Sequence, residues 1–138
     1  MAFHLATGSV KWKTEGEGPA YGSPVLVIID GTNQIVYQSL TKLVSLDMTD
    51  GRLLWEYDTP VGDGEIAFQS FGSLIDAGSL IVGLFGNSKI VVLNPDGQKF
   101  DAVSLIELTE KGIYAHPILS SGNRIFIKDE ASLILFTL

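Results

Sequence analysis

Imidazole and thiol side chains, which commonly catalyse reactions or bind metals, are scarce in this chain. It contains two histidines, His4 and His116, and no cysteine. A metal site built from several imidazoles or thiolates therefore cannot form within one chain. A serine hydrolase of the nucleophile-elbow type would need a G-x-S-x-G segment, and none occurs. The sequence thus gives no support for thiol, zinc or serine chemistry.

Two further segments invite a ligand interpretation. The glycine-rich "GEGPAYG" at 16–22 leads into a strand pattern, whereas a phosphate-binding loop opens a helix. We therefore interpret it as a connection between sheets. Asp58, Asp63 and Glu65 have oxygen ligands suited to calcium, but their spacing does not match an EF-hand loop. A solvated loop is the favoured interpretation there, with calcium binding as the alternative.

Bulk composition favours one folded domain and narrows the range of partners. The chain has 138 residues, of which 46% are hydrophobic, enough for a packed core. Its net charge of −7 and its scattered basic residues argue against nucleic acid as a partner. Polar residues or glycines interrupt every apolar run before it reaches membrane-spanning length, so we expect no membrane insertion.

The elements that would position any site are predicted to be hairpins. Three segments share an apolar strand, a turn and a second strand, and they start near Tyr21, Phe71 and Ala115. Their turns contain glycine or asparagine, the residues that a hairpin reversal requires. The turn segments are Asp30-Gly31, Asp76-Ala77-Gly78 and Ser121-Gly122-Asn123.

Further strands extend each hairpin into a sheet. A third strand follows every hairpin, and a fourth follows the first two, which predicts an all-β chain of four-stranded antiparallel sheets. The period of about 40–50 residues is typical of β-propeller blades. We expect about three blades, the last completed by the N-terminal strand. Their predicted boundaries are 21–61, 71–110, and 115–138 plus 3–15.

A strand-turn-strand segment with a tryptophan carries a family resemblance. In "LVSLDMTDGRLLWEYD" Trp55 lies four residues after Gly51, and in "FHLATGSVKW" Trp12 lies four residues after Gly8. These segments resemble the A-x-D-x-x-T-G-x-x-x-W signature of the pyrroloquinoline-quinone-like (PQQ-like) repeat proteins. The segment from Ser23-Pro24 to Asp30-Gly31 is similar to the opening of their blades. The second unit departs from the signature, with Asp101 at the tryptophan position.

Physical chemistry assigns the signature residues a structural role. Gly8 and Gly51 close tight turns, because glycine adopts positive φ without strain. Trp12 and Trp55 each have a large apolar face to cover the seam between adjacent sheets and an indole N–H to bond a backbone carbonyl. We expect these four residues to dock one blade on the next.

The resemblance also implies what the chain does. Quinone-dependent enzymes of this superfamily carry a calcium ion, a catalytic aspartate and a vicinal disulfide. This chain has no cysteine and no aspartate that matches a catalytic motif, so we expect neither pyrroloquinoline quinone nor calcium. The expected function is a non-catalytic scaffold that binds a protein, a peptide or a glycan. The alternative is a fragment of a quinone-dependent oxidoreductase whose catalytic residues lie outside this chain.

The resemblance to a propeller family also indicates which residues would contact a ligand and where in the cell the protein would be located. Aromatic residues at blade starts would lie at the mouth of a central channel, and His116 precedes an inner strand, although a packing role competes for it. Many members of the family are periplasmic or extracellular, and the resemblance implies the same here. Three blades do not close a ring, so we expect either the remainder of a longer propeller or a homo-oligomer that shares strands. The candidate channel-mouth contacts are Tyr21, Phe71, Tyr114 and His116.

Overall fold

Thirteen β-strands and no helix make up the described part of the chain. The computed structural model describes residues 1–18, 20–59, 72–86, 88–96, 99–108, 113, 116–121 and 124–137. All strand pairs are antiparallel. The prediction of an all-β chain with four-stranded antiparallel sheets is confirmed.

The strands form one pair and three larger sheets. The N-terminal strand pair consists of β1 (Ala2–Phe3) and β2 (Val10–Trp12). Sheet I contains β3 (Val25–Ile29), β4 (Thr32–Gln38), β5 (Lys42–Asp47) and β6 (Leu53–Asp58). Sheet II contains β7 (Gly72–Asp76), β8 (Ile81–Phe85), β9 (Lys89–Asp96) and β10 (Lys99–Glu107). Sheet III contains β11 (Ile118–Ser120), β12 (Arg124–Lys128) and β13 (Leu133–Thr137).

Local turn chemistry explains why the hairpins form where the sequence places them. Asp30 and Gly31 both have positive φ, 49° and 75°, as a two-residue hairpin turn requires. In the β5–β6 connection, Asp47 Oδ1 accepts a hydrogen bond of 2.8 Å from the backbone N–H of Thr49. Gly51 closes that connection with a φ of 75°. These two segments, which contain aspartate and glycine, thus fix the register of the strands on either side.

Two apolar clusters hold the three sheets in a stack. The first joins sheet I to sheet II and includes Val36, Trp55 and Leu93. The second joins sheet II to sheet III and includes Val82 and Ile125. Because sheet II takes part in both clusters, every residue of β8 is buried. Near-continuous apolar sequence is the expected pattern for a strand that is covered on both faces.

The prediction that the N-terminal strand completes the last sheet is wrong. β2 pairs with β1, with Ala2 opposite Trp12, and among the described strands β13 pairs with β12 alone. The reason is that Trp12 contacts sheet I, whereas sheet III lies on the far side of sheet II. The predicted blade boundaries remain predictions, because residues 61, 71, 110, 115 and 138 lie outside the described residues.

Candidate functional site

Trp12 anchors the N-terminal strand pair to the β5–β6 turn of sheet I. Its indole Nε1 donates a hydrogen bond of 3.2 Å to the backbone carbonyl oxygen of Met48. Its six-membered ring lies over Gly51, where any added Cβ would collide with ring carbons. Position 51 therefore requires both a positive φ and the absence of a side chain, and glycine meets both requirements.

At Gly8 only the first of these requirements, a positive φ, applies. Its φ is 69°, and a Cβ added there would meet no heavy atom within 4 Å. The backbone N–H of Gly8 donates a 2.8 Å hydrogen bond to the carbonyl oxygen of His4, which closes the β1–β2 turn. The two glycines of the signature thus differ in their surroundings, because the tryptophan that follows Gly8 contacts Gly51.

Trp55 lies between sheets I and II. It is 6% exposed and belongs to the cluster that joins those sheets. Its Nε1 donates a 2.8 Å hydrogen bond to Oε1 of Gln34, and the Ser45 hydroxyl donates to the same oxygen at 2.7 Å. The acceptor is therefore a side-chain amide, whereas the sequence analysis expected a backbone carbonyl. Gln34 was missed because a glutamine in a strand carries no sequence signal of its buried partners.

The first strands of sheets I and II begin very close to each other. A Cβ added to Gly22 would lie 2.6 Å from the carbonyl oxygen of Gly72, and one added to Gly72 would collide with the side-chain amide of Gln38. Both glycines directly follow an aromatic residue of the predicted channel mouth. The backbones can approach this closely only because both positions lack a side chain.

The predicted channel-mouth residues are placed only in part. Tyr21 is 78% exposed, and His116 is exposed next to the buried Pro117. Phe71 and Tyr114 lie outside the described residues. The grouping of these four residues into one ligand-contacting site therefore remains a prediction.

Residues 13–17 cross one face of sheet I and enclose a groove beneath them. The groove has a volume of about 780 Å³, and its lining includes Trp12, Ile35, Tyr37 and Leu46. It lies on the side of sheet I that faces away from sheet II. This groove was not predicted from the sequence, because it arises from the path of the segment that connects the N-terminal strand pair to sheet I.

Glu17 fixes the connecting segment to the β4–β5 turn. Its carboxylate accepts hydrogen bonds from the Ser39 hydroxyl at 2.8 Å, the Thr41 hydroxyl at 2.8 Å and the Thr41 backbone N–H at 3.1 Å. These bonds favour the charged carboxylate, so the pKa of Glu17 is lowered, chiefly by the Thr41 side chain and then by Ser39. This contact was not predicted from the sequence, since Ser39 and Thr41 lie more than twenty residues from Glu17 along the chain.

The two outer sheets of the stack each carry large exposed apolar residues, as do β10 and the N-terminal strand pair. We define the outward face of sheet I as the face away from sheet II, and the outward face of sheet III likewise. On sheet I the exposed residues are Leu26 (55%), Ile28 (68%) and Leu53 (48%). On sheet III they are Ile118 (63%), Leu133 (68%) and Leu135 (51%).

The described residues contain no group of three or more His, Asp or Glu side chains arranged to hold a metal ion. Of the calcium candidates named above, Asp63 and Glu65 fall outside those residues, so the expectations about calcium and quinone remain predictions. Over the same described ranges, no helix has the length and apolar character needed to cross a membrane.

Comparisons with known proteins point to one family. The family profile described as "Outer membrane protein assembly factor BamB" matches residues 1–127. A search of curated proteins finds no significant match. Among solved structures, the crystal structure of BamB from Moraxella catarrhalis superimposes with a TM-score of 0.55 at 19% sequence identity. The match covers 87% of this chain and 34% of that one. The chain therefore has the fold of part of this propeller and spans about a third of its length.

Proposed function

The chain belongs to the PQQ-like repeat family of the outer membrane protein assembly factor BamB, and on this premise we propose that it is a non-catalytic scaffold that binds other proteins. The finer expectations from the sequence are part of this proposal. They are a periplasmic or extracellular location, a protein or peptide ligand, and a structural role for Trp12, Trp55, Gly8 and Gly51.

The observation that carries the proposal is the contrast between the covered and the uncovered sheets. Sheet II is packed on both faces, whereas sheets I and III each have an outward face with several large, exposed apolar residues. Large apolar residues exposed on one face of a folded domain commonly mark a protein interaction site. A rigid stack that presents such surfaces is suited to scaffolding.

The channel-mouth residues form the second part of the proposed binding surface. Tyr21 is highly exposed at the end of sheet I where the backbones of Gly22 and Gly72 meet. Tyrosine combines a large apolar ring with a polar hydroxyl and is enriched at protein interfaces. We propose that Tyr21 contacts the ligand, together with Phe71, Tyr114 and His116.

Photo-crosslinking tests the binding role of this end. A benzoylphenylalanine at position 21 or 116 is expected to form a crosslink with a specific protein in cells that express the chain. Mass spectrometry identifies that protein, and rebinding of the purified pair checks it. The matched control is Asp76, an exposed residue at the opposite end of β7 from Gly72, which should give no such crosslink. Equal crosslinking from positions 21 and 76, or none from either 21 or 116, would contradict the proposal.

A fragment of a quinone-dependent oxidoreductase is the competing function, since the wider family also contains enzymes. Its catalytic residues would then lie outside this chain. The two functions differ in whether the protein binds the quinone at all.

A further inference from the structure

Aspartate is followed directly by glycine at four places in this chain. In such a dipeptide the glycine backbone nitrogen is able to attack the side-chain carboxyl carbon of the aspartate, because glycine has no side chain that hinders the approach. Two of these steps, Asp30-Gly31 and Asp50-Gly51, lie within the described residues, whereas those at 63–64 and 96–97 extend outside them. The fold therefore places two chemically identical dipeptides in different surroundings.

The Asp50-Gly51 step is held in place from three sides. Gly51 is buried beneath the ring of Trp12. Its backbone N–H donates a 2.9 Å hydrogen bond to the carbonyl oxygen of Asp47. The carboxylate of Asp50 accepts a 2.9 Å hydrogen bond from the backbone N–H of Arg52. Both groups that would react with each other are thus engaged elsewhere, and the ring blocks movement of the turn.

The Asp30-Gly31 step lacks this cover. Both residues are exposed, and a Cβ added to Gly31 would meet no heavy atom within 4 Å. Among the described residues, the N–H of Gly31 takes part in no hydrogen bond. The step forms the tip of the β3–β4 hairpin, beyond the last cross-strand pair, Ile29↔Thr32. Exposed tips of this kind open locally at a low cost in free energy, so the attacking nitrogen and the carboxyl carbon can come together.

The reaction between these two groups needs only water. The Gly31 nitrogen forms a bond to Cγ of Asp30 and loses its proton, and the carboxyl group loses its hydroxyl, so that one water molecule leaves and a succinimide ring closes. Water then opens the ring at either carbonyl. Opening at the side-chain carbonyl restores aspartate. Opening at the main-chain carbonyl leaves an isoaspartyl residue, in which the chain runs through the former side chain and the α-carboxylate is free.

We propose that Asp30 is a site of spontaneous isoaspartate formation in the folded protein, and that the fold protects Asp50 from the same modification. The modified residue belongs to the class of substrates of isoaspartyl carboxyl methyltransferases, which transfer a methyl group from S-adenosylmethionine to the free α-carboxylate. This inference is independent of the proposed scaffold function.

The modification would alter the hairpin that it occurs in. An isoaspartyl residue adds one methylene group to the main chain of a two-residue turn, whose residues now have φ values of 49° and 75°. Such a turn no longer matches the twist of the strands on either side. The adjacent Ile29 is 6% exposed and belongs to the first apolar cluster. A change of register there would loosen the contact of β3 with sheet II.

Ageing of the purified chain tests the proposal. The protein is kept at neutral pH and physiological temperature for several weeks, and peptides are then mapped by electron-transfer dissociation, which distinguishes isoaspartate from aspartate. We expect several-fold more isoaspartate at position 30 than at position 50. In concentrated urea the two positions should react at similar rates, because the protection comes from the fold. Methyl transfer by a purified isoaspartyl methyltransferase gives an independent count.

Two variants separate the effects of the two surroundings. Asp30→Gly removes the reacting carboxyl group but keeps a turn sequence that accepts two positive φ values, and it should lose the methyl acceptance of this turn. Trp12→Ala uncovers Gly51 and should raise isoaspartate at position 50 without changing the amount at position 30. Circular dichroism checks that both variants are folded.

Three results would overturn the inference. The first is equal modification of positions 30 and 50 in the folded chain. The second is a folded chain that is modified at neither position, although both react in urea. The third is a difference that persists unchanged in urea, which would assign it to the neighbouring sequence. Unaltered modification of position 50 in the Trp12→Ala variant would show that the tryptophan ring gives no protection.

Discussion

At the scale of single residues, a comparison of Gly51 with Gly31 distinguishes two reasons for a glycine, a positive φ and a lack of space for a side chain. Both have a φ of 75°. Only Gly51 also lies under a tryptophan ring, whereas a Cβ at Gly31 would meet nothing within 4 Å. An L-residue in the left-handed region costs roughly 1–2 kcal/mol at either position. At Gly51 the collision with Trp12 adds to that cost.

Substitution by alanine should therefore be more harmful at Gly51 than at Gly31. We expect Gly31→Ala to lower the free energy of unfolding by roughly 1 kcal/mol. Gly51→Ala should lower it by about a further 1–3 kcal/mol, the usual cost of overpacking. Urea denaturation of both variants measures the difference. Equal losses would show that the ring of Trp12 moves away without cost and does not hold the N-terminal pair in place.

At the scale of elements, the connecting segment is attached to sheet I by one carboxylate. Glu17 is exposed, yet three donors from Ser39 and Thr41 converge on it. These bonds lower its pKa, so folding favours the ionised form. The resulting stabilisation is present above the ordinary pKa of a glutamate and is lost as the pH falls through the lowered value.

Glu17→Gln should reduce this dependence on pH. The wild type should lose stability on acidification from neutral pH into the carboxyl range, and the variant should lose less because it lacks the titrating group. Thermal unfolding at several pH values measures this. Glu15→Gln, in the same segment, is the matched control and should follow the wild type. If both variants follow the wild type, the hydrogen bonds of Glu17 contribute nothing to stability.

Most of the elements could be predicted from local sequence, and the exceptions have a common cause. Hairpins such as that of Asp30 and Gly31 depend on neighbouring residues, whose φ preferences are visible in the sequence. The location of the N-terminal pair depends on Trp12 and Met48, thirty-six positions apart. The same holds for Gln34 beneath Trp55, at a separation of twenty-one. Repetition showed which strands share sheets I and II, but it assigned the N-terminal strand to the wrong sheet and did not show which sheet each tryptophan would contact.

At the scale of the whole molecule, the sheets match part of a propeller of the PQQ-like family. A family fold can carry either an enzyme or a scaffold, and the site decides which. Under the proposed scaffold function, the exposed apolar and aromatic residues would bind a partner, because such residues are enriched at protein interfaces.

Titration with pyrroloquinoline quinone and calcium tests this distinction. We expect no change in the absorbance of the quinone when the chain is added and no reduction of an electron-acceptor dye. An established quinone-dependent dehydrogenase serves as the positive control. Saturable quinone binding by the folded chain would favour the oxidoreductase alternative.

The burial of β8 on both sides has a consequence for how the chain unfolds. Ile81 and Phe85 of this strand pack into the seam with sheet I, and Val82 and Leu84 pack into the seam with sheet III. Separation of either seam exposes half of the strand's side chains to water, at a cost of roughly 25 cal/mol for each Å² of apolar surface. Partial opening is therefore disfavoured, and we expect the three sheets to melt as one cooperative unit although the chain is built from repeats.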